Sequence, residues 1–262
     1  MVPALYLCIS MVPNGVVYGI GHDPVRVKEK REGKTLAPQF FKNRPFLIFV
    51  SFYILYGLGV GMWFGLIFIY VDSYLGMGSH FAKMFLIAFT VGIFTVPMWN
   101  RLTSKIGKKG SLVLAMTLLI ASSVFTGFLS PQESGLGSLV GLKIVNTIGF
   151  VCMNIIAPSI LSDIVDYSRW KFRVDIAGSY FAVKGFLHKS VLAGGGGIGL
   201  FIAGHYGFDP SAEIHAEMGL FGLHLAIVWM PTLLFMASLV LALFTPIDDR
   251  RHGIISRRLA QI

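Results

Sequence analysis

The run FLIFVSFYILYGLGVGMWFGLIFIYV, Phe46 to Val71, carries 26 residues without one charged side chain. At about 1.5 Å of helix rise per residue, a run of this length exceeds the roughly 30 Å hydrocarbon thickness of a bilayer. A buried helix of a soluble core would need neither this length nor this uniformity. Residues 46–71 therefore read as a membrane-spanning helix. Further long runs, apolar with few charges, lie at 82–100, 111–129, 137–162, 177–204 and 218–246, with a shorter apolar stretch at 2–21. The sequence predicts an all-α polytopic membrane protein of six full spans preceded by a partial one.

Composition agrees. Of 262 residues, 55% are apolar and 13% charged, against roughly 25% charged in a soluble domain, and the mean hydropathy is +0.71. So few charges cannot coat a water-soluble surface. Cys8 and Cys152 both fall in apolar runs far apart in sequence, which suggests neither a disulfide framework nor a metal site. The formal charge of +9 raises nucleic acid as a partner, and the positions of the basic residues answer it. Arg26, Lys28, Lys30, Arg31, Lys34, Lys42 and Arg44 precede the first full span. Arg101, Lys105, Lys108 and Lys109 follow the second, Arg169, Lys171 and Arg173 the fourth, and Arg250, Arg251, Arg257 and Arg258 the last. The intervening connections hold only Lys83 and, in 130–143, Lys143. Basic residues concentrate in cytoplasmic loops beside anionic lipid, so the alternation predicts a cytoplasmic 22–44 linker and C-terminal tail and needs no nucleic acid.

The N-terminal stretch has no basic region before it, as a signal peptide would, and Pro3, Pro13, Asn14 and Gly15 interrupt it. It reads as the remainder of a helix ending on the cytoplasmic side. Gly57, Gly61 and Gly65 repeat every four residues, a spacing suited to close helix packing in lipid. The run Gly194 to Gly197 fits either a flexible point or another close contact. Pro97, Pro158 and Pro231 lie in or near span ends, where they can kink a helix.

Charge inside a span is more specific, because it is expensive there and marks cavities or pairs. Lys189 sits near the middle of 177–204, and Lys184 and His188, four residues apart, share a helical face. A structural role is open for each: an ion pair, a solvated head or a hydrogen-bonded imidazole. Asn146 and Asn154 lie two turns apart, placed to line a cavity or to bond between helices. Asp163, Asp166, Tyr167, Arg169, Trp170, Lys171, Arg173 and Asp175 form the densest polar constellation.

The order of those residues is informative. Ser-Asp-Ile-Val-Asp-Tyr-Ser-Arg-Trp-Lys, residues 162–171, resembles the signature of the glycoside-pentoside-hexuronide:cation symporters of the major facilitator superfamily. Gly178-Ser-Tyr-Phe-Ala-Val, Lys189 and Gly204-His-Tyr-Gly-Phe-Asp follow in the family's order. Upstream, Asn43-Arg44-Pro45-Phe46 and the basic stretch Arg101 to Gly110 resemble its seventh-helix entry and its helix 8 to 9 loop. The resemblance implies a secondary transporter in which Na+ or H+ movement drives a sugar or sugar-like solute by alternating access, with no cofactor beyond that coupling ion. It implies a substrate and cation cavity at Lys189, His188, Asn154 and Lys184. It also implies a cytoplasmic gate at Asp163, Asp166, Tyr167, Arg169 and Lys171, linked to the other bundle. Asn154 stands where melibiose permease has an aromatic residue, and Asp175-Ile176 replaces a common arginine-containing sequence.

Family members have twelve helices. On that resemblance, 1–21 is the remainder of helix 6, 22–44 the central cytoplasmic linker, 45–246 the C-terminal six-helix bundle and 247–262 the basic tail. The expectation is a C-terminal half, inactive alone and partnered by an N-terminal six-helix half, in the plasma (inner) membrane with a cytoplasmic C-terminus. A receptor or accessory subunit, and a half-transporter assembling with a separate half, are the alternatives. No His-Glu-x-x-His, Gly-x-Ser-x-Gly or phosphate-loop pattern supports an enzyme.

Overall fold

The computed structural model of the chain describes residues 42–131, 135–173, 176–210, 212 and 216–244. The expected helix 6 remainder, all but the last residues of the linker, and the basic tail lie outside the described residues, as does Asp175.

The described spans are helical, as an apolar solvent requires: in lipid every backbone N–H and C=O must be satisfied within the protein. Helix α1 spans Arg44–Ile69 and continues through a π turn at Tyr70–Tyr74. Its start follows directly from Asn43-Arg44-Pro45-Phe46: the Asn43 side chain accepts a hydrogen bond from the Phe46 amide at 3.3 Å, and Pro45 occupies the first turn, where its missing N–H costs nothing. Helix α2 is Phe81–Thr126, α3 is Leu136–Phe172 and α4 is Ala177–His205. The last span is built from α5, Glu217–His224, a π turn at Leu225–Trp229 and α6, Met230–Leu243. That π turn stands directly ahead of Pro231, whose ring cannot continue the regular hydrogen-bond ladder.

Among the described residues, five helical stretches are long and apolar enough to cross a membrane, and the second runs over 49 residues, Gly78–Thr126. At about 1.5 Å per residue it would be more than twice the thickness of the hydrocarbon. It breaks at Gly107, with φ 77° and ψ 169°, a backbone region open essentially to glycine alone. The two arms, 81–106 and 108–126, are thus the two spans expected at 82–100 and 111–129. A Thr103 to Ser111 hydroxyl hydrogen bond of 2.9 Å closes the turn.

Two apolar clusters fill the bundle along α1. Toward the end bearing Gly107 and Asp163, Phe46, Phe49, Phe52, Tyr53 and Tyr56 pack with Trp99, Met116, Ile156, Ile164, Tyr180 and Phe235. Toward the other end, Met62, Trp63, Leu66 and Tyr70 pack with Met84, Leu142, Leu223 and Ile227. Polar side chains tie the helices at fixed depths. Ser238 donates to the Phe52 carbonyl at 2.9 Å, Trp99 to the Ile148 carbonyl at 3.0 Å, and Tyr70 to the Thr126 carbonyl at 2.7 Å.

The glycine alternatives separate here. Helix α4 runs unbroken through Gly194 to Gly197, and the α1 stripe is its seat. A β-carbon at Gly61 would stand 2.5 Å from the Leu192 carbonyl oxygen, and one at Gly65 would stand 2.8 Å from the Gly196 α-carbon. Gly195 backs onto Leu58 and Gly61 in the same way, whereas Gly194 and Gly197 face open space. Backbone-to-backbone contact, rather than unwinding, uses Gly195 and Gly196.

Candidate functional site

The residues expected to line a cavity divide between α3 and α4. On α4, Lys184 and His188 turn toward α1, and a residue not singled out from sequence receives both: the Tyr53 hydroxyl lies 3.0 Å from His188 Nδ1, and Lys184 Nζ lies 5.6 Å from the Tyr53 ring centroid. Cations sit favourably over the electron-rich face of a ring, so a single tyrosine holds two of the expected site residues. Lys189, one position on, is rotated about 100° around the helix and is exposed. It presents its ammonium on the surface of the bundle.

Asn154 is also exposed on the bundle surface, and its amide donates back to the Phe150 carbonyl at 2.9 Å. No hydrogen bond among the described residues joins it to Lys189 or His188. Asn146 answers the alternative posed for it: it is buried and its amide donates to Ser122 Oγ at 3.3 Å, an interhelical bond from α3 to α2.

The acidic constellation is likewise split. Asp163 is buried and both its carboxylate oxygens accept from Lys108 Nζ at 2.7 Å. Its charge is engaged within this bundle, with the turn at Gly107. Asp166, more accessible, faces Arg169 across one helical turn at 3.5 Å. Tyr167 packs near Trp170 with centroids 6.1 Å apart, and Lys171 lies 5.5 Å above the Tyr167 ring. The helix then stops at Arg173, in the left-handed conformation with φ 57°. Lys109, beside Lys108, donates to the Leu243 carbonyl at the end of α6, 2.7 Å away. The Gly107 turn, the end of α3 and the end of α6 are thereby linked through two consecutive lysines.

Asn43, Tyr180 and Ser168, one from each of three resembling motifs, meet in space. The Asn43 amide donates to the Tyr180 hydroxyl at 2.9 Å, the Ser168 and Tyr180 hydroxyls are 3.1 Å apart, and the Phe46 and Tyr180 rings meet edge to face at 4.6 Å. One buried contact thus joins the start of α1, the end of α3 and the start of α4.

Lys143, expected in the connection 130–143, instead lies within α3 and is 3% exposed. Its ammonium stands 4.0, 4.5 and 4.7 Å from the ring centroids of Phe85, Phe64 and Trp63. Three aromatic faces from α1 and α2 provide what a loop residue finds in water. A count of loop charges cannot register this, because the rings lie 58 to 80 positions away in sequence.

A family model, MFS/sugar transport protein, matches residues 1–249. The chain belongs to this family. The MFS/sugar transport assignment agrees with the resemblance carried by residues 43–209, and places the chain among transporters rather than enzymes. An uncharacterized symporter of Synechocystis sp. is 23% identical over 229 residues, which is 84% of this chain and 41% of that protein. The chain therefore spans less than half the length of this curated relative. With five long apolar helical stretches among its described residues, this MFS chain is an integral membrane protein.

Proposed function

We propose that the chain forms one six-helix half of a secondary active symporter, in which a Na+ or H+ gradient drives a sugar-like solute by alternating access. The second half of the transport unit is a further six-helix bundle. The observation that carries this reading is the surface of α4, where exposed Lys189 adjoins the partly covered Lys184 and His188 held on Tyr53. Intramembrane cations face cavities or partner bundles rather than lipid. On this reading Lys189, His188 and Lys184, with Asn154 on α3, border the solute and cation cavity. Asp166, Tyr167, Arg169 and Lys171 form the gate at the basic end, with Asp163 bracing it through Lys108. The basic connections face the cytoplasm, with the protein in the plasma (inner) membrane and the tail inside.

The test is uptake by proteoliposomes. The chain alone, and the chain combined with an N-terminal six-helix half, are challenged with labelled mono- and disaccharides under an inward Na+ or H+ gradient. Gradient-dependent uptake is expected only from the combination, and Lys189→Ala is expected to abolish it while leaving membrane insertion intact. Robust uptake by the chain alone, or undiminished coupling in the lysine variant, would overturn the reading.

A further inference from the structure

The Tyr53 hydroxyl is buried with its ring, which is 3% exposed, and His188 Nδ1 is its hydrogen-bond partner among the described residues. The ring has no freedom to turn elsewhere. It stacks on Phe49 at 5.6 Å, meets Phe52 edge-on at 6.3 Å and lies 5.8 Å from Tyr56. A phenol can donate one hydrogen and also accept; a ring nitrogen does one or the other. If Nδ1 carried a hydrogen, in either the neutral or the doubly protonated imidazole, it would donate to the phenol oxygen and leave the phenol O–H buried without an acceptor. A buried donor without a partner is costly. If Nδ1 is bare, one hydrogen bond satisfies both groups.

We infer that Tyr53 is a positioning residue: it donates its hydroxyl hydrogen to His188 Nδ1 and so fixes the imidazole with its own hydrogen on Nε2. That nitrogen lies on the side of the half-buried ring away from Tyr53, where it acts as a hydrogen-bond donor of set direction. It suits a lone-pair oxygen, such as a sugar hydroxyl or ring oxygen. The identity of the acceptor rests on the transport reading; the tautomer rests on the buried pair alone.

The test needs no transport. The 262-residue chain is labelled with 15N-histidine and held in lipid nanodiscs, and the His188 ring signals are assigned by their loss in His188→Gln. The wild-type protein should show an unprotonated Nδ1 and a protonated Nε2. In Tyr53→Phe, which keeps the aromatic packing, the second tautomer should appear, drawing the Nδ1 and Nε2 shifts of His188 toward each other. A protonated Nδ1 in the wild type, or unchanged His188 shifts in Tyr53→Phe, would overturn the inference. The other six histidines report whether the variant is folded; if their signals also change, the wild-type tautomer alone decides. Failure of sugar uptake with the tautomer intact would remove the proposed acceptor and leave the positioning role standing.

Discussion

Lys108 Nζ lies 2.7 Å from each carboxylate oxygen of Asp163, across 55 residues of sequence. The pair closes the basic end of the bundle by fastening the residue after the Gly107 break to α3. Asp163 is nearly buried, its side chain 7% exposed, while Lys108 keeps 25%. Removing one partner takes away the counter-charge that stands 2.7 Å from the other.

Lys108→Ala should therefore destabilise the bundle by roughly 2–3 kcal/mol, somewhat below the loss seen for fully buried pairs because Lys108 reaches solvent. Asp163→Asn should cost a similar amount, and the double variant less than the sum of the two. Equilibrium unfolding in detergent micelles measures all three, and additive losses would show that the pair does not couple.

The seating of α4 on α1 makes a second comparison. Gly61→Ala places a methyl group against the Leu192 backbone, which cannot yield as a side chain can, so a loss of about 1–3 kcal/mol is expected. Gly197→Ala meets nothing within 4 Å and should be neutral or gain up to about 1 kcal/mol from improved helix propensity. Thermal unfolding of both variants checks the contrast, and equal effects would contradict the packing.

Lys143 offers a third. Its ammonium is surrounded by Phe85, Phe64 and Trp63, and the cation–π attraction, about 2 kcal/mol in such dry settings, competes with the cost of burying charge. Lys143→Met keeps the length and removes that cost, so stability should stay within about 1 kcal/mol of wild type or rise. Lys143→Glu sets a negative charge against ring faces and should prevent stable folding. Equilibrium unfolding followed by circular dichroism measures both variants. A loss above about 3 kcal/mol in the methionine variant would show that the charge itself is required.

Tyr180→Phe removes only the hydroxyl that links Asn43 and Ser168. The Asn43 amide is then left buried without this acceptor, at a cost of about 1–3 kcal/mol. Because Phe46 still packs edge to face on the ring, the loss should appear in unfolding midpoint rather than in helix content by circular dichroism. No change in midpoint would mean that packing alone holds the three helix ends.

Much of the fold is legible in the residue order alone. The uncharged length of 46–71 is sufficient for a crossing, and the lipid requirement for internal hydrogen bonding leaves helix as the form for such a run. The basic stretch after residue 100 marked the turn between two spans, although which residue breaks the helix depends on the backbone of Gly107. Of the site residues, Lys184 and His188 were legible as neighbours because a four-residue spacing fixes a shared face.

Composition and motif order suffice for the kind of structure and its family: apolar runs with at most two charges each set the crossings, and ordered motifs at 43–46, 162–171 and 178–183 marked an MFS/sugar transport chain. The partners of the buried polar groups are set by packing. Tyr53 meets His188 over 135 residues, Asp163 meets Lys108 over 55, and Lys143 leaves its expected loop for three rings on other helices. The physical reason is one of range. A local pattern encodes the solvent a segment prefers, while the energy of a buried charge or hydroxyl depends on the groups that packing brings within a few ångströms from elsewhere in the chain.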